Sequence, residues 1–342
     1  LRLFPEKEDV SFDLIRDRPR QTSINLCSAF SSPAAWGDCL AMQRPNLNAG
    51  CRAACRNAAG VLLVLDLAAC FNGAAAQESG RLLATSGVSQ VEGAGGGGLV
   101  PWALITGYGT RDAVGGDIHG TYVAVNDFGL GSLGAAAGFY DRLELSYAHE
   151  WFNTGSAGGR LGLGDGYEFH LDVAGAKLRL FGDAVYDQDS WLPEIAAGVQ
   201  AKAADRHAVL KAVGATSPDG IDFYVSATKL LLAESLLVDA TVRATKANQF
   251  GLLGFGGDRD RGYSAQFEGS AAYLLTRSFA IGAEVRTKPD NLGFAREGTA
   301  YDAFAAYFLT KHVSATLAFV SLGPIARQGE QKGVYVSLQT GF

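Results

Sequence analysis

The chain has 342 residues, with 29 Lys and Arg against 35 Asp and Glu and a formal net charge of −6. So acidic a balance, without a clustered basic surface, excludes a nucleic-acid footprint. The five cysteines, Cys27, Cys39, Cys51, Cys55 and Cys70, all lie in the N-terminal part. Whatever follows them folds without disulfides, thiolate metal sites or thiol redox chemistry.

Met42 is the only methionine, and an export signal follows it. Arg44, Arg52 and Arg56 form a positive n-region, Ala58 to Ala69 a mostly apolar h-region, and Ala74, Ala75 and Ala76 an A-x-A cleavage site before Gln77. Residues 1–41 carry no such signal and read as a disordered upstream extension of the reading frame. Residues 42–76 read as the signal peptide. Leu67-Ala68-Ala69-Cys70 resembles a lipobox, but Asp66 interrupts the approach to it, so ordinary cleavage after Ala76 is the preferred reading over lipidation at Cys70. From Gln77 onward there are 21 basic and 28 acidic residues.

Residues 77–117 form a separate N-terminal segment. It holds Gly93, Gly95, Gly96, Gly97 and Gly98, then the apolar run Leu99 to Tyr108. The spacing Gly93-x-Gly95-x-x-Gly98 formally fits a dinucleotide fingerprint, but no strand-turn-helix unit with a following acidic residue surrounds it. A flexible turn is the better reading. The segment is either folded into a lumen or an additional hairpin.

Strand alternation occupies residues 118–342. Leu143, Leu145, Tyr147 and Trp151 share one face with the misfit His149, while Arg142, Glu144, Ser146 and Glu150 share the other. Similar splits recur at 191–202, 221–228 and 279–288. The segments approach the length that crosses a bilayer as tilted strands. Tyr140, Trp151, Trp191, Tyr263 and Tyr273 stand at strand ends, where an interfacial aromatic girdle would lie. No run after the signal is long and apolar enough for a membrane helix.

The fold expected is therefore all-β, an antiparallel transmembrane β-barrel of about twelve strands, with fourteen as the alternative. The strands are expected at 118–126, 132–140, 143–152, 167–181, 190–203, 220–230, 235–249, 263–275, 279–289, 301–311, 313–323 and 333–342. Short turns alternate with long loops near 153–166, 204–220, 250–262, 290–300 and 324–332, as in outer-membrane barrels. In 167–181 the polar residues change parity near Gly175, which a bulge would reconcile.

Four runs resemble an uncharacterised proteobacterial family of outer-membrane β-barrels, catalogued as a domain of unknown function. They are Gly95 to Ala103, Tyr186 to Pro193, Lys246 to Asp258 and Thr287 to Ala295. The resemblance implies architecture and an outer-membrane location, and no activity. Val334, Val336, Leu338, Thr340 and Phe342 also resemble the C-terminal signature by which barrels are handed to the barrel assembly machinery.

The polar face carries Glu144, Glu168, His170, Asp172, Lys177, Arg179, Glu194, Lys202, Asp222, Asp239, Arg243, Glu268, Glu284, Arg286 and Lys288. These are the expected lumen-lining residues. Charges of both signs fit a water-filled pore that selects by local field, or a lumen closed by cross-pairing. A narrow channel for small hydrophilic solutes is the leading expectation, with a closed structural or adhesive barrel acting through its loops as the alternative.

A lipid-directed enzyme is the least favoured reading, since it needs Ser146 or Ser314 to meet His149 or His312 on the outer face. Asp258-Arg259-Asp260-Arg261-Gly262 lacks a complete calcium ligand set, and the five histidines show no ligand spacing. No catalytic, metal or cofactor residue is expected. The surroundings expected are outer-membrane lipid and lipopolysaccharide, and no nucleic acid.

Overall fold

The computed structural model describes residues 87–342. The upstream extension, the signal peptide and the choice between Ala76 and Cys70 fall outside the described residues. Two short strands, β1 (Val88–Ser89) and β2 (Gly95–Gly96), pair with each other, and twelve further strands close into an antiparallel barrel.

The barrel strands are β3 (Val114–Val125), β4 (Gly129–Phe139), β5 (Leu143–Asn153), β6 (Glu168–Phe181), β7 (Glu194–Ala204) and β8 (Asp219–Leu231). They continue as β9 (Leu236–Thr245), β10 (Ser264–Thr276), β11 (Phe279–Arg286), β12 (Ala300–Phe308), β13 (Val313–Ile325) and β14 (Gln328–Gly341). Each pairs with its sequence neighbours, and β14 closes the ring on β3, as at Leu338↔Gly120. Closure leaves no unpaired strand edge, the condition a sheet must meet in hydrocarbon. The fourteen-strand alternative fails, because β1 and β2 lie outside the barrel sheet.

Alternation sorts the two faces. On β8, Ile221, Phe223 and Val225 are exposed, while Asp222, Tyr224, Ser226 and Thr228 are buried. Val334 and Val336 are likewise exposed on the outside of β14, and Phe342 just after it is exposed too. A soluble sheet would bury this apolar band and expose the charges. The inversion is that of a barrel whose outer solvent is lipid.

One end of the barrel has the tighter connections, at 140–142, 232–235, 277–278 and 309–312, plus the longer 182–193, where Trp191 is 88% exposed. The other end has loops that bend inward. One carries helix α1 (Ala157–Arg160) and another helix α2 (His207–Ala212). After β9 the chain leaves the wall at Thr245 and forms a 3-10 turn at Asn248–Gly251, with Gln249 and Phe250 at φ of 46° and 62°. The expected continuation of this strand to 249 is therefore cut short.

Two further expectations change. The long loop at 324–332 is a tight hairpin, with Ala326 and Arg327 at φ of 47° and 66° between extended β13 and β14. Positive φ at two successive residues is the geometry whose twist matches that of paired strands. The bulge at Gly175 is absent, since β6 keeps register with β5 from Asn153↔Glu168 to Leu143↔Leu178.

Candidate functional site

Residues 87–108 lie inside the barrel and are buried throughout. The glycine run explains how the segment fits. A Cβ on Gly96 would stand 2.4 Å from the Val100 carbonyl oxygen, and one on Gly97 would stand 1.7 Å from Glu284 Oε1. Only a bare backbone folds this tightly on the plug itself at Gly96 and passes this close to the lumen wall at Gly97.

The wall receives this plug through charges and hydroxyls. Nearest the short-turn end, Glu144 accepts from the backbone amides of Gly95 at 3.0 Å and Thr106 at 2.9 Å. Lys177 pairs with Glu144 at 3.0 Å and donates to the carbonyl oxygens of Gly95 and Trp102 at 2.9 and 3.1 Å. Glu284 accepts from the Leu99 amide at 2.7 Å. The Pro101 carbonyl accepts from Ser226 Oγ and Thr241 Oγ1, each at 3.0 Å, and the Ala103 amide donates to Thr228 Oγ1 at 2.7 Å.

Deeper toward the loop end lies an ionic layer. Glu92 of the plug pairs with Lys202 at 2.6 Å and with Arg286 at 3.0 Å. Lys202 also pairs with Asp222 at 2.9 Å, and Arg286 with Glu268 at 3.2 Å. Arg243 is bonded to Glu268 and donates to Gln200 Oε1 at 2.6 Å. Three cations here pair with three carboxylates, each almost wholly buried, and a fourth carboxyl, Glu150 of β5, is buried beside Glu92, Lys202 and Arg286. A buried charge is tolerable only when paired and hydrogen-bonded in this way.

Of the expected lumen residues, Glu144, Lys177, Arg179, Glu194, Lys202, Asp222, Asp239, Arg243, Glu268, Glu284 and Arg286 are buried on the inward face. Arg179 gathers Asp141, Asp183 and Glu194 near the short-turn end. Lys288 lies just beyond β11 at the loop end, paired with Glu297 at 3.2 Å.

Glu168, His170 and Asp172 do not line the lumen. They stand on the outside of β6, and Phe169, Leu171 and Val173 are the buried side chains between them. His149 lies beside them on the outside of β5, its Nδ1 2.8 Å from Asp172 Oδ1, and the Tyr147 hydroxyl donates to the same oxygen at 2.6 Å. The polar-inward rule reverses here because the interior at the loop end is apolar.

That apolar interior is a vestibule of about 430 Å³ above the plug. Val123, Phe152, Phe169 and Val320 come from the wall, Val91 and Leu99 from the plug, and Val209 and Phe250 from the inward-bent loops. No sequence pattern announced it, because its lining comes from many separate segments. Glu92 also escaped notice, since the role of its segment was open.

The serine–histidine pairings do not form. Ser146 and Ser314 are on inward faces, whereas His149 is outward and His312 Nδ1 donates to the Gly341 carbonyl at 2.8 Å in a turn. Among the described residues there is no group of three or more His, Cys, Asp or Glu side chains that could hold a metal ion. Asp258 of the acidic loop instead accepts from the Gly293 amide at 2.7 Å.

A sequence profile matching residues 85–339 decides the family. The chain belongs to the family described as Protein of unknown function (DUF3034). No curated protein matches it. Among solved structures, the KdgM porin aligns at 12% identity with a TM-score of 0.43, over 66% of this chain and 99% of that one. The COG4313 outer membrane channel from Pseudomonas putida F1 aligns at 15% identity with a TM-score of 0.41, over 71% and 97%. Outer membrane phospholipase A from Escherichia coli aligns at 12% identity with a TM-score of 0.38, over 69% and 94%. The profile makes the chain a DUF3034 member, and its own closed twelve-strand ring with an apolar outer face gives it the form of an outer-membrane-type barrel.

Proposed function

We propose that this outer-membrane barrel is held closed by its own N-terminal segment and acts at its loop end. The observation that carries the reading is Glu92, which ties the plug to Lys202 and Arg286 in the middle of the lumen. Glu144 and Glu284 hold the plug backbone on either side. These anchors leave a resting protein without a water-filled route. In the same reading the loop end faces outward among lipopolysaccharide, and Val334, Val336, Leu338 and Phe342 are read by the assembly machinery.

A gated route for small hydrophilic solutes is the second reading. It is favoured by the wall itself, since withdrawal of residues 87–108 would uncover Glu144, Lys177, Lys202, Asp222, Arg243 and Glu284. Planar-bilayer recording separates the two. The refolded barrel is expected to show no steady conductance, and removal of residues 87–112 is expected to create one. Steady conductance of the intact barrel at low voltage would overturn the closed reading in favour of a standing channel.

A further inference from the structure

We infer that the vestibule at the loop end is a binding site for a small, wholly apolar molecule, a hydrocarbon or an unsubstituted aromatic. This deepens the proposal that the barrel works at its loop end, and it holds whether or not the plug ever moves.

The chemistry of the lining selects the ligand. At about 430 Å³ the vestibule falls in the range of small-molecule sites, roughly 300–1,000 Å³. Of its three polar side chains, Thr154 and Gln249 are already engaged, and Tyr335 offers its ring, its hydroxyl lying against the plug 3.4 Å from where a Cβ on Gly98 would stand. Thr154 donates to the Tyr167 carbonyl at 2.8 Å, and Gln249 donates to the Pro324 carbonyl at 2.9 Å while accepting from Lys288 at 3.1 Å. A ligand carrying several donors or acceptors into this space would lose its water for few partners in return. A ligand carrying neither loses nothing and gains dispersion contacts with the walls.

The position also fits capture from outside. The floor is closed by Val91 and Leu99 of the plug, with the ionic layer of Glu92 beneath. Phe250, whose ring lies 4.4 Å from Arg286 Cζ and 5.1 Å from Lys288 Nζ, separates those cations from the apolar space. At the rim, Ala208 and Ala212 of α2 are exposed yet face the vestibule, and Leu163 and Val209 beside them are half-buried. Entry is therefore past α2. Gly87 lies with Tyr108 and His312 at the far end, on the side opposite the vestibule.

The test uses the full refolded barrel in lipid nanodiscs, with pyrene fluorescence as the probe and empty nanodiscs subtracted. The expected result is saturable binding with one site per barrel, displaced by naphthalene and unaffected by glucose. Ala212→Trp and Leu163→Trp, which fill the space from the rim, are each expected to weaken binding at least tenfold. Heat-dependent gel mobility confirms that each variant is a folded barrel. Displacement by glucose, purely non-saturable uptake, or saturable binding that both folded variants retain would overturn the assignment. Because no current is read, failure here leaves the closed-barrel proposal standing, and conductance by the intact barrel leaves this assignment standing.

Discussion

Replacing Glu92 by Gln removes one charge from the ionic layer while keeping the shape of the plug. Lys202, Arg243 and Arg286 then keep only Asp222 and Glu268 as paired carboxylates, with the buried Glu150 carboxyl beside them as the one remaining source of compensating charge. Breaking a buried ion pair by neutralising one partner costs about 3–5 kcal/mol. Lys202 keeps Asp222 at 2.9 Å and Arg286 keeps Glu268 at 3.2 Å, which places this case at the lower end. At ~1.4 kcal/mol per tenfold, the displaced plug should become roughly 100-fold more populated. Hydrogen exchange reads this directly, because the Gln90 and Val91 amides donate within the plug, to Ala94 and Gly98. Their exchange should accelerate by about that factor while amides in the β7–β8 ladder keep their protection. Unchanged protection of residues 90–102, or equal loss in the wall, would refute the idea that Glu92 latches the plug.

Gly96→Ala is expected to undo the β1–β2 pairing, because its Cβ would meet backbone atoms of Val100 and Trp102 that cannot turn away. Loss of protection confined to residues 88–102 would be the signature. Glu297→Gln leaves Lys288 buried beside Gln249 and Leu322, and should cost about 3–5 kcal/mol by thermal denaturation. The companion Lys288→Met/Glu297→Met pair should cost much less. Burial already lowers the Lys288 pKa against the opposing pull of Glu297. The penalty in Glu297→Gln should therefore shrink as pH rises through the window between the folded and unfolded values of Lys288.

Asp127 is held below the usual carboxylate range by the hydrogen bond from Gln331, then by Arg160. Its contribution is present above the unfolded value and is lost as pH falls through the lower folded one. Carboxyl NMR should show an Asp127 midpoint below 3.8 that rises in Arg160→Met.

The wall of the barrel was legible because lipid and lumen impose opposite demands on alternate residues. Asp222 between Ile221 and Phe223 could face only one way. The pattern misled at Glu168, His170 and Asp172, where an apolar vestibule replaces the polar lumen and the outer surface carries Asp172 with His149 and Tyr147. Alternation reports which residues share a face, but it does not say which side that face looks upon. The plug was harder still. Its glycine run gives no periodicity, and its partners, such as Leu99 with Glu284, are 185 residues apart. The vestibule, assembled from plug, wall and loops, has no local signature at all.

The carbonyl oxygen of Phe342 accepts from the amides of both Tyr108, at 3.1 Å, and Gly116, at 2.9 Å. Tyr108 ends the plug, and Gly116 belongs to β3, the strand on which β14 closes the ring. The seam of the barrel and the stem of the plug thus share one fastening. The plug precedes every strand of the wall in the chain, so its stem is fastened here only where β14 has reached β3. Sealing the cylinder and holding the stem of its contents thus draw on one acceptor, and a barrel without its plug would lack half of its own clasp.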